Sequence, residues 1–125
     1  MKKIETNHAP QAVGAYSQGI LIKDTLYVSG QIPFHPKTMK LISEDIKIQT
    51  KQSLENVLAI VQAAGLTKHD IVRCGVFMTN LEDFQAMNEV YGAFFGEHKP
   101  ARAAVEVRRL PKDVQIEIDA IAIKA

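Results

Sequence analysis

The 125-residue sequence predicts an α+β fold in which two amphipathic helices cover one face of a sheet. Residues 46–64 and 84–95 carry apolar side chains at helical spacing, whereas residues 100–107 and 114–123 alternate polar and apolar side chains. Residues 71–79 are apolar on both faces, as expected for a strand in the middle of a sheet. The predicted order is strand, strand, helix, strand, helix, strand, strand.

The first half of the chain begins with a short strand or arm in residues 4–15, followed by a loop. Residues 19–22 and 25–29 are apolar runs separated by Lys23 and Asp24, a pattern that predicts a tight hairpin. Prolines at positions 33 and 36 then interrupt regular structure. The first helix is predicted to begin at Ser43 or Glu44 and to end at Gly65.

The second half contains the central strand, the second helix and the two alternating segments. Asn80 is the predicted cap of the second helix, and Gly96 is its predicted end. A turn around Pro111 separates the two final segments, so they are expected to pair as an antiparallel hairpin. With their apolar faces aligned, Val105 would face Val114 and Arg102 would face Glu117.

The predicted Arg102–Glu117 pair lies on the sheet face away from the helices. A cross-strand ion pair at the surface would contribute little to stability. The same face carries Ile121 and Ile123, and an exposed apolar sheet face is usually an interface, which predicts a homo-oligomer. A buried charged pair is costly, and an arginine fork suits a substrate carboxylate, so the pair is also a candidate site.

Bulk composition excludes several classes of protein. The length predicts one domain spanning residues 1–125, and a net charge of +1 gives no reason to expect nucleic acid or an anionic membrane. No apolar run is long enough for a membrane span, and a single cysteine, Cys74, fits a reducing compartment such as the cytosol. The four histidines show no metal-ligand spacing, and no glycine-rich phosphate loop is present. Cys74 is expected to be a core residue.

Several motifs, in the right order and over nearly the whole chain, resemble the YjgF/Rid (reactive intermediate deaminase) family. The matching segments are Gly14-Ala-Tyr-Ser-Gln18, Tyr27-Val-Ser-Gly-Gln-Ile-Pro33, Gln52-Ser-Leu-Glu-Asn-Val57, Ala63-Ala-Gly-Leu66, Asp83-Phe84 with Asn88, Tyr91 and Phe94-Phe95, Pro100-Ala-Arg102, and Glu106-Val107 with Leu110-Pro-Lys-Asp113 and Ile116-Glu-Ile118.

The resemblance implies a chorismate-mutase-like fold packed as a homotrimer with sites in the clefts between subunits. It also implies hydrolysis of 2-imino acids such as 2-iminobutanoate and 2-iminopropanoate to 2-oxo acids and ammonia, without a cofactor or metal. Arg102 would hold the substrate carboxylate, and Glu117 would position or activate water. Tyr16, Ser29, Gly30, Asn88 and the backbone at Ala104 would contact the substrate.

Three positions depart from the family pattern. Ala104 stands where close relatives often have cysteine, Ala15 replaces a frequent proline, and residues 97–100 form a shorter segment than usual. The alternative function is a regulatory or chaperone-like trimer that binds a small carboxylate without turnover. RNA cleavage, also linked to family members, is less expected because the chain lacks a basic aromatic surface.

Overall fold

The computed structural model describes residues 1–125 and contains eight main elements. The strands are β1 (Lys2–Ile4), β2 (Gly19–Ile22), β3 (Thr25–Gln31), β4 (Ile71–Met78), β5 (Ala101–Glu106) and β6 (Ile116–Ile123), and the helices are α1 (Ile46–Ala63) and α2 (Phe84–Phe95). The six strands form one mixed sheet, and both helices pack on it, as predicted. No helix has both the length and the apolar character needed to cross a bilayer.

The strand order is β1-β2-β3-β6-β4-β5, and it overturns the predicted final hairpin. β5 pairs in parallel with β4, and β6 pairs antiparallel with β3 and β4, so β4 lies between the two segments that were expected to pair. Residues 79–100, including α2, connect β4 to β5. This connection is long enough for the crossover that two parallel strands require. The predicted contacts of Val105 with Val114 and of Arg102 with Glu117 are therefore wrong.

The alternation within β6 decides which residues form the core. Its even-numbered residues, Ile116, Ile118, Ala120 and Ala122, are buried beneath the helices. Its odd-numbered residues Glu117, Asp119, Ile121 and Ile123 occupy the other face of the sheet and are half-buried or exposed. The predicted apolar core face of this strand is thus confirmed. Cys74 is fully buried in the same core, also as predicted.

The helix starts differ slightly from the prediction. Asp45, rather than Ser43 or Glu44, caps α1: its Oδ1 accepts hydrogen bonds from the backbone of Lys47 and Ile48 at 2.8 and 3.1 Å. Asn80 caps a short 3₁₀ turn, and α2 begins only at Phe84. Such shifts are expected because several Asp, Asn and Ser residues near a helix start can act as its cap.

Polar side chains on the buried face of α1 attach this helix to the loops around the sheet. The Asn56 amide donates to the carbonyls of Ile32 and Phe34 at 3.1 and 3.0 Å. Gln49 donates to the Ser43 carbonyl and accepts from the backbone N–H of Gln115, which precedes β6. Because both side chains are fully enclosed, these hydrogen bonds are needed to offset their desolvation. They fix the segment after β3 and the entry into β6.

Candidate functional site

Arg102 lies at the outer edge of the sheet and faces α2. Arg102 is paired with Cys74 of β4, and Cys74 is paired with Ala120 of β6. Cys74 and Ala120 are buried under the helices, so the Arg102 side chain lies on the same side of the sheet. Its Nη1 donates to Asn88 Oδ1 at 2.7 Å. The guanidinium carbon lies 4.7 Å from the ring centroid of Tyr91 and 5.4 Å from that of Phe84. These contacts orient the guanidinium but leave it exposed, with donors available for an anion.

The ring of Tyr91 packs against the Arg102 guanidinium. It is almost fully buried, and its hydroxyl, next to the Cys74 thiol, makes no hydrogen bond. Burial raises the pKa of Tyr91, and burial also raises the pKa of Cys74. Both groups therefore remain neutral near pH 7, which makes Cys74 a poor nucleophile. The sequence pattern assigned Tyr91 to the core and did not reveal its contact with Arg102.

Glu117 lies on the opposite face of the sheet. Glu117 is paired with Phe77 of β4, and Phe77 is paired with Val105 of β5. Paired residues point to the same side of a sheet, so all three side chains lie on the face away from the helices. A Cβ on Gly30 would lie 2.5 Å from Glu117 Oε2, so a larger residue at position 30 would displace the carboxylate from its present position. The pKa of Glu117 is raised, first by burial and second by the nearby carboxylate of Asp119. A carboxylate whose pKa is raised is a stronger proton acceptor than an ordinary glutamate, which suits it to general acid–base chemistry.

Gly30 belongs to an irregular end of β3 that shapes the space around Glu117. The register between β3 and β6 shifts between Val28 and Gln31, which leaves Ser29 and Gly30 outside the regular ladder. The Ser29 hydroxyl donates to the Ser17 carbonyl at 2.5 Å, and the Ser29 backbone N–H donates to the Gln18 carbonyl at 2.9 Å. These bonds hold the loop that carries Tyr16 against β3.

A cavity of about 840 Å³ opens beside Glu117. It is lined by Pro10, Gln11, Val13, Tyr16, Ser29, Gly30, Gln31, Ile32, Phe34, Met39, Pro111, Lys112 and Glu117. Its volume lies within the range that accommodates small-molecule ligands. Four of the residues predicted from the sequence, Tyr16, Ser29, Gly30 and Glu117, therefore lie together in one cavity.

The other predicted residues form a second group, on the helix side of the β5 edge. Arg102 contacts Asn88 directly, and Ala104 is two residues further along β5 on the same face, packed against the core. Two strand spacings, about 10 Å, and the thickness of the sheet separate this group from Glu117. One chain thus contains two separate candidate half-sites: a carboxylate in a cavity and an oriented guanidinium on a different surface. No group of three or more His, Cys, Asp or Glu side chains is arranged to hold a metal ion.

Sequence reasoning missed two polar residues near the carboxylate. Asp119 follows Glu117 on the same face, and its Oδ1 accepts from the Gly75 backbone N–H at 2.9 Å. Lys112 lines the cavity from the turn before β6. Alternation in the last strand predicted that Asp119 shares a face with Glu117, but Asp119 was not singled out as a site residue. Lys112 belongs to the matching segment Leu110-Pro-Lys-Asp113, but its place beside the cavity depends on the loop conformation and could not be predicted.

Comparison with known proteins gives concordant matches. A family model described as Endoribonuclease L-PSP matches residues 6–124. A RutC family protein of Pyrococcus horikoshii is 53% identical over 121 residues, which cover 97% of this chain and 96% of that protein. A protein of Salmonella typhimurium named 2-iminobutanoate/2-iminopropanoate deaminase is 53% identical over 126 residues, covering 98% of each chain.

Solved structures agree with the sequence matches. The crystal structure of Escherichia coli TdcF with bound serine is similar with a TM-score of 0.96 and 49% identity, and the match covers 100% of both chains. The family's reactive intermediate deaminase role is supported by the names of these relatives. With the matched residues spanning nearly the whole chain, the protein belongs to the Endoribonuclease L-PSP family, which is the YjgF/Rid family that its motifs resemble.

Proposed function

We propose that the protein hydrolyses 2-imino acids such as 2-iminobutanoate and 2-iminopropanoate, or their enamine tautomers, to 2-oxo acids and ammonia. The observation that carries this proposal is the half-buried Glu117 carboxyl group, with a raised pKa, in the wall of a ligand-sized cavity. The printed activity of the Salmonella typhimurium relative, 53% identical over 126 residues, supports the same reaction.

In the proposed mechanism, Glu117 positions a water molecule and accepts its proton as the oxygen attacks the imine carbon. Glu117 returns that proton to the nitrogen, which gives a neutral carbinolamine. The same carboxylate then takes the proton of the carbinolamine hydroxyl and delivers it to the amino nitrogen, so that ammonia leaves as the C=O bond forms. Water and imine are consumed, and 2-oxo acid and ammonia are released. No electrons are transferred to another molecule, so the reaction needs no redox cofactor.

Arg102 is the proposed partner of the substrate carboxylate. In one chain it faces away from the Glu117 cavity, so the complete site requires Arg102 and Asn88 from a neighbouring copy. The exposed apolar residues Tyr27, Ile123 and Val105, on the same sheet face as Glu117, support an assembly that covers this face. We propose that this assembly is the homotrimer, with Tyr16, Ser29 and Gly30 beside Glu117 in one subunit and the backbone at Ala104 beside Arg102 in the next.

The test is release of 2-oxo acid from 2-iminopropanoate that is generated continuously by an amino-acid oxidase, with semicarbazide competing for the imine. The wild type is expected to lower semicarbazone formation, and Arg102→Ala is expected to lose this effect. Arg108→Ala is the control, because Arg108 is an exposed arginine outside the cavity lining. A wild type that does not exceed spontaneous hydrolysis, or an Arg102→Ala variant that matches it, would contradict the proposal.

A second function, binding of a small carboxylate without turnover, is favoured by the serine in the TdcF structure. In that case calorimetry would detect binding of serine or a 2-oxo acid, with loss of binding in Arg102→Ala, while imine hydrolysis would stay at the spontaneous rate. The two functions therefore differ in turnover and not in the residues used.

A further inference from the structure

Lys112 and Glu117 are the only charged residues among those that line the cavity. Glu117 is used in the proposed reaction, whereas Lys112 has no role in it. The Lys112 ammonium makes no ion pair and no hydrogen bond within the chain. An unpaired cation in the wall of a cavity is available to a ligand.

The backbone at Lys112 is in a conformation that lysine rarely adopts. Its φ is 57° and its ψ is 19°, in the left-handed region that favours glycine and asparagine. Asp113 follows with a φ of 56°, but its side chain has a clear role, since it pairs with Arg109 through contacts of 2.6 and 3.2 Å. For Lys112 no such internal contact exists. A residue with an unusual backbone conformation in the lining of a ligand cavity is a candidate for function.

The turn that carries Lys112 is fixed on both sides. Leu110 and Val114 are buried, at 7% and 1% exposure, and Pro111 restricts the backbone directly before Lys112. The Asp113 backbone N–H donates to the Leu110 carbonyl at 3.1 Å, which closes the turn. The backbone of Lys112 is therefore held by a fixed turn, and its side chain extends from a defined point in the cavity lining.

We propose that Lys112 selects substrate charge: its ammonium binds a second anionic group, so that the site favours 2-imino acids with an acidic side chain over those with neutral or cationic side chains. This inference rests on the proposed function, in which Arg102 binds the carboxylate next to the imine. A dicarboxylic imine brings a second negative charge near Glu117, and Lys112 offsets that repulsion. The cavity volume of about 840 Å³ leaves room for such a side chain.

The test compares kcat/KM for imines generated in situ from alanine and from glutamate by the corresponding oxidases. Lys112→Asn removes the charge but retains a residue that tolerates the left-handed conformation, so its thermal stability is expected to equal or exceed that of the wild type. Its kcat/KM for the glutamate imine is expected to fall about two- to fivefold, the size of a solvent-exposed charge contact, with little change for the alanine imine. Lys112→Glu is expected to lower it further, and added salt should weaken the wild-type preference.

Lys23→Asn is the matched control. Lys23 also has a left-handed backbone, with a φ of 53°, but it lies in the β2–β3 turn and not in the cavity wall. A glutamate-to-alanine ratio that is unchanged in Lys112→Asn, or that falls equally in Lys23→Asn, would overturn the inference.

The two proposals fail in different ways. If the wild type hydrolyses neither imine, the proposed function is wrong, and Lys112 is then tested by calorimetry with 2-oxoglutarate and 2-oxobutanoate as unreactive probes. Preferential loss of 2-oxoglutarate binding in Lys112→Asn would support charge selection without turnover. Equal binding of 2-oxoglutarate by wild type and Lys112→Asn would exclude it.

Discussion

The environment of Arg102 determines how it can bind an anion. Asn88 uses its neutral carbonyl oxygen to accept one guanidinium N–H, and Tyr91 and Phe84 pack against the planar group. A neutral acceptor orients the arginine without cancelling its charge, whereas a carboxylate at the same position would compete with the substrate. The identity of residue 88 is therefore a functional requirement in this account.

We expect Asn88→Asp to raise KM for 2-iminopropanoate about tenfold or more while kcat changes less, because the new carboxylate would form a charge-assisted pair with Arg102. Steady-state kinetics with the competing-capture assay measures both quantities. Asn88→Ser, which is neutral and retains an acceptor, should have a smaller effect. An unchanged KM in Asn88→Asp would mean that Arg102 does not bind the substrate carboxylate.

Glu117 illustrates a conflict between stability and function at a single residue. The pKa of this carboxyl is raised in the folded protein by burial and by Asp119, whereas in the unfolded chain it has its ordinary value. The folded state is therefore penalised as pH rises through the interval between the two pKa values, and the full penalty applies above the folded value.

Replacement of Glu117 by Gln removes that titration. We expect Glu117→Gln to be more stable than the wild type above the raised folded pKa of Glu117. The gain should shrink as the pH falls from that value toward about 4.3, the ordinary pKa of glutamate, and should be absent below it. Urea denaturation at several pH values provides the measurement. Equal stability of the two proteins at every pH would show that Glu117 is not destabilised by its surroundings.

At the level of elements, periodicity predicted much of the fold but not the neighbours of the last two strands. Alternation in residues 114–123 correctly separated the core-facing Ile116 and Ile118 from Glu117. Alternation cannot show which strand lies beside another, and a short turn made a hairpin the simplest interpretation. The chain instead places β5 beside β4 through a parallel crossover that includes α2. Because β4 is apolar on both faces, it could be recognised as an interior strand, but its partners could not.

The glycines of the sheet show how elements create the site. Gly30 leaves space for the Glu117 carboxylate, so a Cβ there would push the flexible end of Glu117 and would not collide with rigid backbone. We expect Gly30→Ala to reduce activity at least about tenfold with a much smaller loss of stability. Activity assays and thermal denaturation of the same preparation separate the two effects.

Gly92 in α2 is the matched control for this substitution, because an added Cβ there meets no atom within 4 Å. Gly92→Ala should stabilise the protein by about 0.5–1 kcal/mol through helix propensity and leave activity unchanged. If Gly30→Ala retained full activity, the position of the Glu117 carboxylate would not matter for function.

At the scale of the whole molecule, the two half-sites and the uncovered sheet face lead to the same conclusion. Tyr27, Ile123 and Val105 are 51%, 42% and 44% exposed on the face that also carries Glu117. Exposed apolar side chains on a sheet face are commonly covered by another copy of the chain. The sequence alone correctly indicated apolar residues on this face. It wrongly assigned Arg102 to the same face, because that assignment depended on a hairpin that does not form.

The most direct test of the split site is complementation between two inactive variants. Arg102→Ala and Glu117→Gln subunits, denatured, mixed equally and refolded together, would each supply the residue that the other lacks. If every site takes Arg102 from one copy and Glu117 from another, random assembly restores about one quarter of the sites. The account therefore predicts about a quarter of wild-type imine hydrolysis in the mixture and none in either variant refolded alone. A mixture as inactive as its components would contradict a site shared between subunits.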